Sequence, residues 1–496
     1  MKKIIRNISF ALMALASASC LDLTPQDQLS DSDLWTKAGD FESFANVFYD
    51  WLPDFGTIYD GTHADKRSDL LKDKGGVNLF ATGQNAVPQS DGEYTGPYSN
   101  IRRCNLLLEN AKGFRNQAEI TQYVGEAYFF RAWNHFQLMQ KFGDVIIVDH
   151  TIDVNDPLMS APRDNRGKVC DFIIEDLNKA VEHMLPTADL AEGRIGIEGA
   201  KAFISRVALF EGTWQKFRGN EARGKELLDI AAKAAFDVID SHKFELFAPA
   251  ALGESAYKYM FILEDLQCNP AGLQKDANKE YIIKRCFDAT LKTSGRNITT
   301  EVLANAQLVS AKFAQMYLCT DGLPIEKSPL FKGYETMRGE WMNRDLRMQY
   351  TLMRPGDTFW DASEKNSRID WSDSEAEIAR AKYKNFTPNW GSGYFPQKWA
   401  TERNLGADAR NASYDWPVLR YAEVLLNYAE AVYERDGKIS DTDLNISLNL
   451  TRKRVNKTMP ALSNAFVDAN GLDMRTEIRR ERTIELFQEG FRIDDL

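Results

Sequence analysis

Histidine is scarce and scattered. His63, His135, His150, His183 and His242 lie far apart, with no HExxH and no paired His/Cys spacing, so the sequence offers no zinc site. Cysteine is nearly as rare. Besides Cys20 the chain has Cys104, Cys170, Cys268, Cys286 and Cys319, an odd number without a CxxC, and only Cys268 and Cys286 are close enough in sequence to suggest a pair. Buried free thiols are the expectation for the rest. No GxSxG elbow, phosphate-binding loop or GxGxxG fingerprint occurs, which removes the common signatures of hydrolases, nucleotide-binding proteins and dinucleotide enzymes, and no cofactor is expected. Positive charge is short as well: 61 lysines and arginines stand against 72 acidic residues, a net charge of −11, which leaves no basic footprint for nucleic acid. Beyond the N-terminus no apolar run is long enough to cross a bilayer.

What is present begins with a targeting segment. Lys2, Lys3 and Arg6 precede an apolar stretch over residues 8–18, too short to span a membrane, and small residues lead to Cys20. This resembles a bacterial lipoprotein signal, in which Cys20 becomes the lipidated first residue; Ser17 stands where leucine is usual, which leaves simple secretion with Cys20 an ordinary residue as the lesser reading. Removal of residues 1–19 takes away three positive charges and no negative one, so the net charge falls from −11 to −14. The following stretch, residues 20–32, is polar and proline-containing and reads as a tether.

The remainder, 33–496, reads as one domain, mainly α. The spacing predicts helices over 33–51, 98–111, 119–142, 169–185, 198–217, 224–241, 415–434, 444–455 and 474–488. The run DWPVLRYAEVLLNYAEAVYE is apolar over most of its circumference, with Asp415 as cap, Pro417 in the opening turn and Arg420 placed to pair with Glu423. Helix lengths and brief linkers suggest antiparallel pairs of tetratricopeptide type. Scaffold is thus expected at 98–243 and 414–496. The parts 52–97 and 244–413, rich in Gly, Pro, Asn, Asp and isolated aromatics, read as irregular, ligand-facing loops.

Sugar recognition needs flat aromatic faces together with amide, carboxylate and guanidinium groups, displayed from loops on a rigid scaffold. Tyr59, His63, Asp65, Arg67 and Tyr94 in the first loop region, and Trp360, Trp371, Asn389 and Trp390 in the second, supply both kinds. They are the candidate ligand-binding residues, and the two regions are expected to converge on one face. Each of these aromatics could equally pack its own loop. Glu481 and Glu485 could be imagined as a glycosidase pair. They share one helix face beside Arg480 and Arg482, and ion pairing lowers a carboxyl pKa where an acid catalyst needs a raised one, so a structural network is the better reading.

Several segments together resemble one family. They are IRRCN (101–105), GEAYFFRAWNHFQLMQKFGD (125–144), APR with the helix after it (161–186), GRIGIEGAKAFISRVALFEGTW (193–214), MYLCTDGLP (316–324), RDLR (344–347), DWPVLRYAEVLLNYAEA (415–431) and IRRERTIELFQEGFRIDDL (478–496). In order and spacing they resemble the SusD/RagB family of nutrient-uptake lipoproteins. The resemblance implies a SusD-like α-α superhelix at the outer-membrane surface. It further implies capture of glycan, occasionally peptide, without catalysis, and delivery to a SusC-like TonB-dependent transporter. Three departures stand out: Ile146 replaces a usual proline, Tyr94 takes the place of a sugar-stacking tryptophan, and relatives usually continue past the EGFR-x-DL element. A secreted glycoside hydrolase and a helix-repeat scaffold without small ligand are the competing readings.

Overall fold

Among the described residues six α-helices lie ahead of residue 243, and their ends show why they form. α1 is Ala38–Asn46, α2 Gly92–Ala111, α3 Gln117–Phe142, α4 Arg166–His183, α5 Ile197–Phe217 and α6 Glu221–Asp240. The computed structural model describes residues 34–56, 64–73, 82–304, 307–336, 338–354, 358–359, 367–368, 393–401 and 412–496. α2 begins on Asp91, whose carboxylate accepts the Glu93 N–H, so the helix starts six residues before the expected point and carries Pro97 within it. α3 ends at Gly143, which takes φ 73° and donates its N–H to Met139. At the start of α4, Asn165 and Asp144 receive the first N–H groups.

Each helix packs on the next in sequence, α2 on α3, α3 on α4, α4 on α5 and α5 on α6, and α1 lies against α3. The tightest joint is α5–α6, linked by residues 218–220 alone. Gly212 and Gly224 lie at this joint: a Cβ on Gly224 would sit 2.9 Å from the Gly212 carbonyl oxygen, so position 224 requires glycine, while a Cβ on Gly212 would press on Leu228 at 3.0 Å. Phe129, Phe130, Trp133, Phe136 and Phe203 fill the core between α3 and α5. Buried ion pairs tie the helices at fixed points, Arg131 to Asp176 (2.7 Å) and Arg166 to Glu211 (2.6 Å).

The run expected to be one helix from Asp415 divides in two. Trp416–Arg420 is a strand, β4, antiparallel to β2 (Tyr281–Arg285), and the helix α7 is Tyr421–Asp436, closed by left-handed Gly437. Pro417 sits in the ladder opposite Lys284, and the five strand residues are all buried. Their β-branched and aromatic side chains fit a pleated, covered surface better than a helix. Asp415 caps nothing: it accepts from Lys275 Nζ (2.7 Å), Lys284 Nζ (3.0 Å) and Phe287 N (3.0 Å). Arg420 does not pair with Glu423, which binds Arg206 of α5 instead.

Among the described residues, 244–413 is indeed a mixture of short helices, turns and strands. β1 (Leu71–Asp73) pairs antiparallel with β3 (Gln307–Val309), and Val309 also bridges to Tyr394. The expected helix 444–455 is two short ones, Asp441–Asn445 and Leu448–Lys453, and α8 is Met474–Glu485. Cys268 and Cys286 do not pair: Cys268 is a buried free thiol and Cys286 an exposed one.

Candidate functional site

The short strands bring the two loop regions together. Leu71 lies opposite Val309, and Val309 is bonded to Tyr394, so residues 64–73, 307–309 and 393–401 form one patch over the C-terminal turn. Tyr59 and His63 precede this patch in sequence, and Trp360, Trp371, Asn389 and Trp390 precede its 393–401 part. These six lie outside the described residues, as does Cys20.

Three candidates are visible. Asp65 is buried in a 3-10 turn, where its carboxylate accepts the backbone N–H groups of Gln488 (2.7 Å) and Arg492 (3.3 Å). It therefore faces inward and holds the C-terminal turn, which corrects its reading as a ligand contact. Burial pushes its pKa up to about 7. Arg67, in the same turn, is half-buried. Tyr94 is half-buried in the first turn of α2, not in a loop. Its ring packs edge-on against Tyr98 (5.3 Å) and Phe142 (5.0 Å), and the Arg163 guanidinium lies 5.6 Å from its centre. One face of Tyr94 is thus committed to packing.

The carboxylates weighed as a catalytic pair are consumed by structure. Glu481 binds Arg347 (2.5 Å) and the Thr451 hydroxyl (2.9 Å), while Glu485 binds Arg347 (2.9 Å), Arg420 (2.8 Å) and Arg454. The partners differ from the expected Arg480 and Arg482, which turn to Glu477 and to Asp495. Three guanidinium groups hold the Glu485 carboxyl far below its ordinary range, although its burial opposes this. A carboxyl in that state cannot donate a proton to a leaving group. Among the described residues no His, Cys, Asp and Glu cluster could hold a metal ion.

One concavity was not foreseen. A cleft of about 860 Å³ opens between α3, α5 and the C-terminal residues, with Trp51, Trp133, Phe136, Phe210, Trp214, Phe217, Trp416 and Phe491 on its walls. Two guanidinium groups lie over the Trp214 ring, those of Arg166 (4.0 Å from its centre) and Arg218 (3.2 Å). The signal was in the sequence: Phe210, Trp214 and Phe217 recur at helical spacing and share one face of α5. Periodicity alone assigns such a stripe to the core.

The chain was compared with known proteins. A family model described as SusD family matches residues 279–496, and one described as starch-binding, associating with the outer membrane, matches residues 30–209. A SusD-like protein of Bacteroides ovatus is 25% identical over 257 residues, 50% of this chain and 45% of that protein. The matched stretch thus spans less than half the length of that relative. A crystal structure of a SusD-like protein from Bacteroides fragilis superposes with a TM-score of 0.72 at 21% identity, covering 95% of this chain and 88% of that one. A SusD-like carbohydrate-binding protein, also from Bacteroides fragilis, gives 0.70 at 20% identity over 93% and 86%. At such identities the likeness is one of fold.

Proposed function

The chain belongs to the SusD family, and from that premise we propose that it is a cell-surface glycan-binding lipoprotein without catalytic activity. In this reading the lipid on Cys20 holds it to the outer membrane, where it captures oligosaccharide and passes it to a SusC-like TonB-dependent transporter. Among the described residues no helix is long and apolar enough to cross a membrane. Two acyl chains on the cysteine's glyceride would anchor far more firmly than a single marginal chain.

The observation that carries the reading is the match of residues 30–209 to a family described as starch-binding and outer-membrane associated. The consumption of Glu481 and Glu485 by arginines supports binding over hydrolysis. The ligand face is assigned to the two loop regions, with Tyr59, His63, Arg67, Tyr94, Trp360, Trp371, Asn389 and Trp390 as its candidates. Single sites of this kind bind weakly, and a multivalent polysaccharide compensates.

Affinity electrophoresis through polysaccharide-containing gels tests the reading. The wild type should be retarded and Trp390→Ala should not, at an unchanged melting temperature; release of sugar from the polysaccharide would overturn it. Fatty-acid labelling that is lost in Cys20→Ser tests the anchor. Mild detergent extraction should recover a large β-barrel protein in near equal amount.

A further inference from the structure

At Gln488 the two ligand-facing regions each hold one backbone group of the same residue. It is buried, it is not glycine, and it takes φ 58°, a left-handed conformation that side chains other than Gly, Asn and Asp adopt at a cost. Its N–H is taken by Asp65 from the first loop region (2.7 Å). Its carbonyl is taken by the Trp399 indole N–H from the second (3.3 Å). Its own side-chain carbonyl finds no hydrogen-bond partner among the described residues.

The peptides on either side are held in the same way. Lys398 Nζ, buried, donates to the Phe487 carbonyl (2.6 Å) and to Glu489 (2.6 Å). The Phe487 ring stacks on Phe313 with 4.0 Å between centres, and Phe313 lies in the short helix Ala311–Met316 that comes after β3. Arg492 meets Asp69 through two hydrogen bonds of 2.7 and 2.8 Å, a bidentate pair.

We infer that the turn Phe487–Gln488–Glu489 is the positioning element of the ligand-facing layer, and that Asp65 and Lys398 are its positioning residues, setting where the two loop regions stand relative to each other. The inference rests on the reading that these regions carry the glycan. A turn that had only to end α8 would need neither a strained Gln488 nor buried charged groups from two distant segments. Strain of this kind persists where the surroundings over-determine it, and it gathers at functional places. Asp65 and Lys398 need touch no ligand, because the segments they anchor continue, in sequence, toward the candidate residues.

Amide hydrogen exchange on the full chain tests this apart from any ligand. Asp65→Ala should speed exchange about tenfold or more at Leu71–Asp73 and also at Tyr394 and Gln397, while α2 to α6 keep their protection. Lys398→Met should produce the reciprocal effect at Leu71–Asp73. Acceleration confined to the side of the substitution would overturn the inference, as would acceleration spread through α2 to α6. If Asp65→Ala fails to fold, Asp65→Asn, which keeps one acceptor oxygen for the Gln488 N–H, and Lys398→Met carry the same test. In the polysaccharide gel, Asp65→Ala should lose retardation and Asp65→Asn should regain it; an alanine variant that binds like wild type would sink the positioning role. Should the wild type itself bind no glycan, the functional reading fails while the exchange experiment still decides this one.

Discussion

The helical half of the molecule and the half built around Glu485 bury their backbones by different means. Between α2 and α6 the peptide groups satisfy one another along each helix, so the core needs only shape: Phe129, Trp133 and Phe203 interlock, and single ion pairs such as Arg131–Asp176 tie the helices. Around Glu485 the chain is irregular, and a buried irregular segment leaves carbonyl groups without partners. Arginine supplies them. Arg344 donates to the carbonyls of Ala314, Tyr317 and Glu340, and Arg452 to those of Gly322 and Pro460. Beside them a shared set of carboxylates, Glu280, Asp345, Glu481, Glu485 and Glu489, balances the charge of Arg347, Arg420, Arg454 and Lys398. Buried charge here substitutes for secondary structure.

The sharpest way to break the comparison is Glu485→Ala, which strips one acceptor from Arg347, Arg420 and Arg454 at once. Removing one member of a buried charge set costs roughly 3–5 kcal/mol, so denaturant titration should show the largest loss here or no folded protein at all. A loss no greater than that of an exposed pair would end the argument. In the helical half the corresponding cut is Phe203→Ala, at about 3–4 kcal/mol from lost burial and the cavity left behind. Its effect should not change with pH, whereas that of Glu485→Ala should.

The third effect separates the halves by pH alone. Asp65 faces Lys398 from the 393–401 segment, and Gln488, Arg492 and Asp495 from the C-terminal residues. Burial raises its folded pKa from 3.8 to about 7, so its stabilising contribution is complete below about pH 4 and is lost as pH rises toward 7. Chemical denaturation from pH 4 to 7.5 should show stability falling by about 1–3 kcal/mol through this group. Asp65→Asn should flatten that slope; an unchanged slope would assign the pH dependence elsewhere. Smallest of all is the exposed i, i+4 pair of α6, Lys233 with Asp237 at 3.0 Å. Lys233→Ala should cost less than about 0.5 kcal/mol, and added salt should remove most of that.

Legibility in the sequence follows the same division. The spans of α3, α5 and α6 were readable to within a few residues, because amphipathic periodicity and Gly143 are local signals. The missed start of α2 was also local, an Asp91 cap hidden in a loop-like composition. Residues 415–420 were misread for the opposite reason. Their alternating and helical readings are both apolar, and only the partner strand Tyr281–Arg285, more than a hundred residues away in sequence, selects the extended form. Asp65 looked like a ligand group because a carboxylate in a polar loop carries no mark of burial. Its partners are the backbone N–H groups of Gln488 and Arg492, at the other end of the chain.

The sequence by itself therefore determined the mainly helical class and the helical scaffold, since both follow from local spacing, but not the arginine-bound fate of Glu481 and Glu485, whose neighbours Arg480 and Arg482 pair elsewhere. Tertiary structure alone decided which arginines those carboxylates meet, that Trp416–Arg420 is a strand, and that two remote loop regions close on the backbone of Gln488. Hydrogen bonds and burial act through space, and the partner that satisfies a buried polar group leaves no trace in the residues beside it.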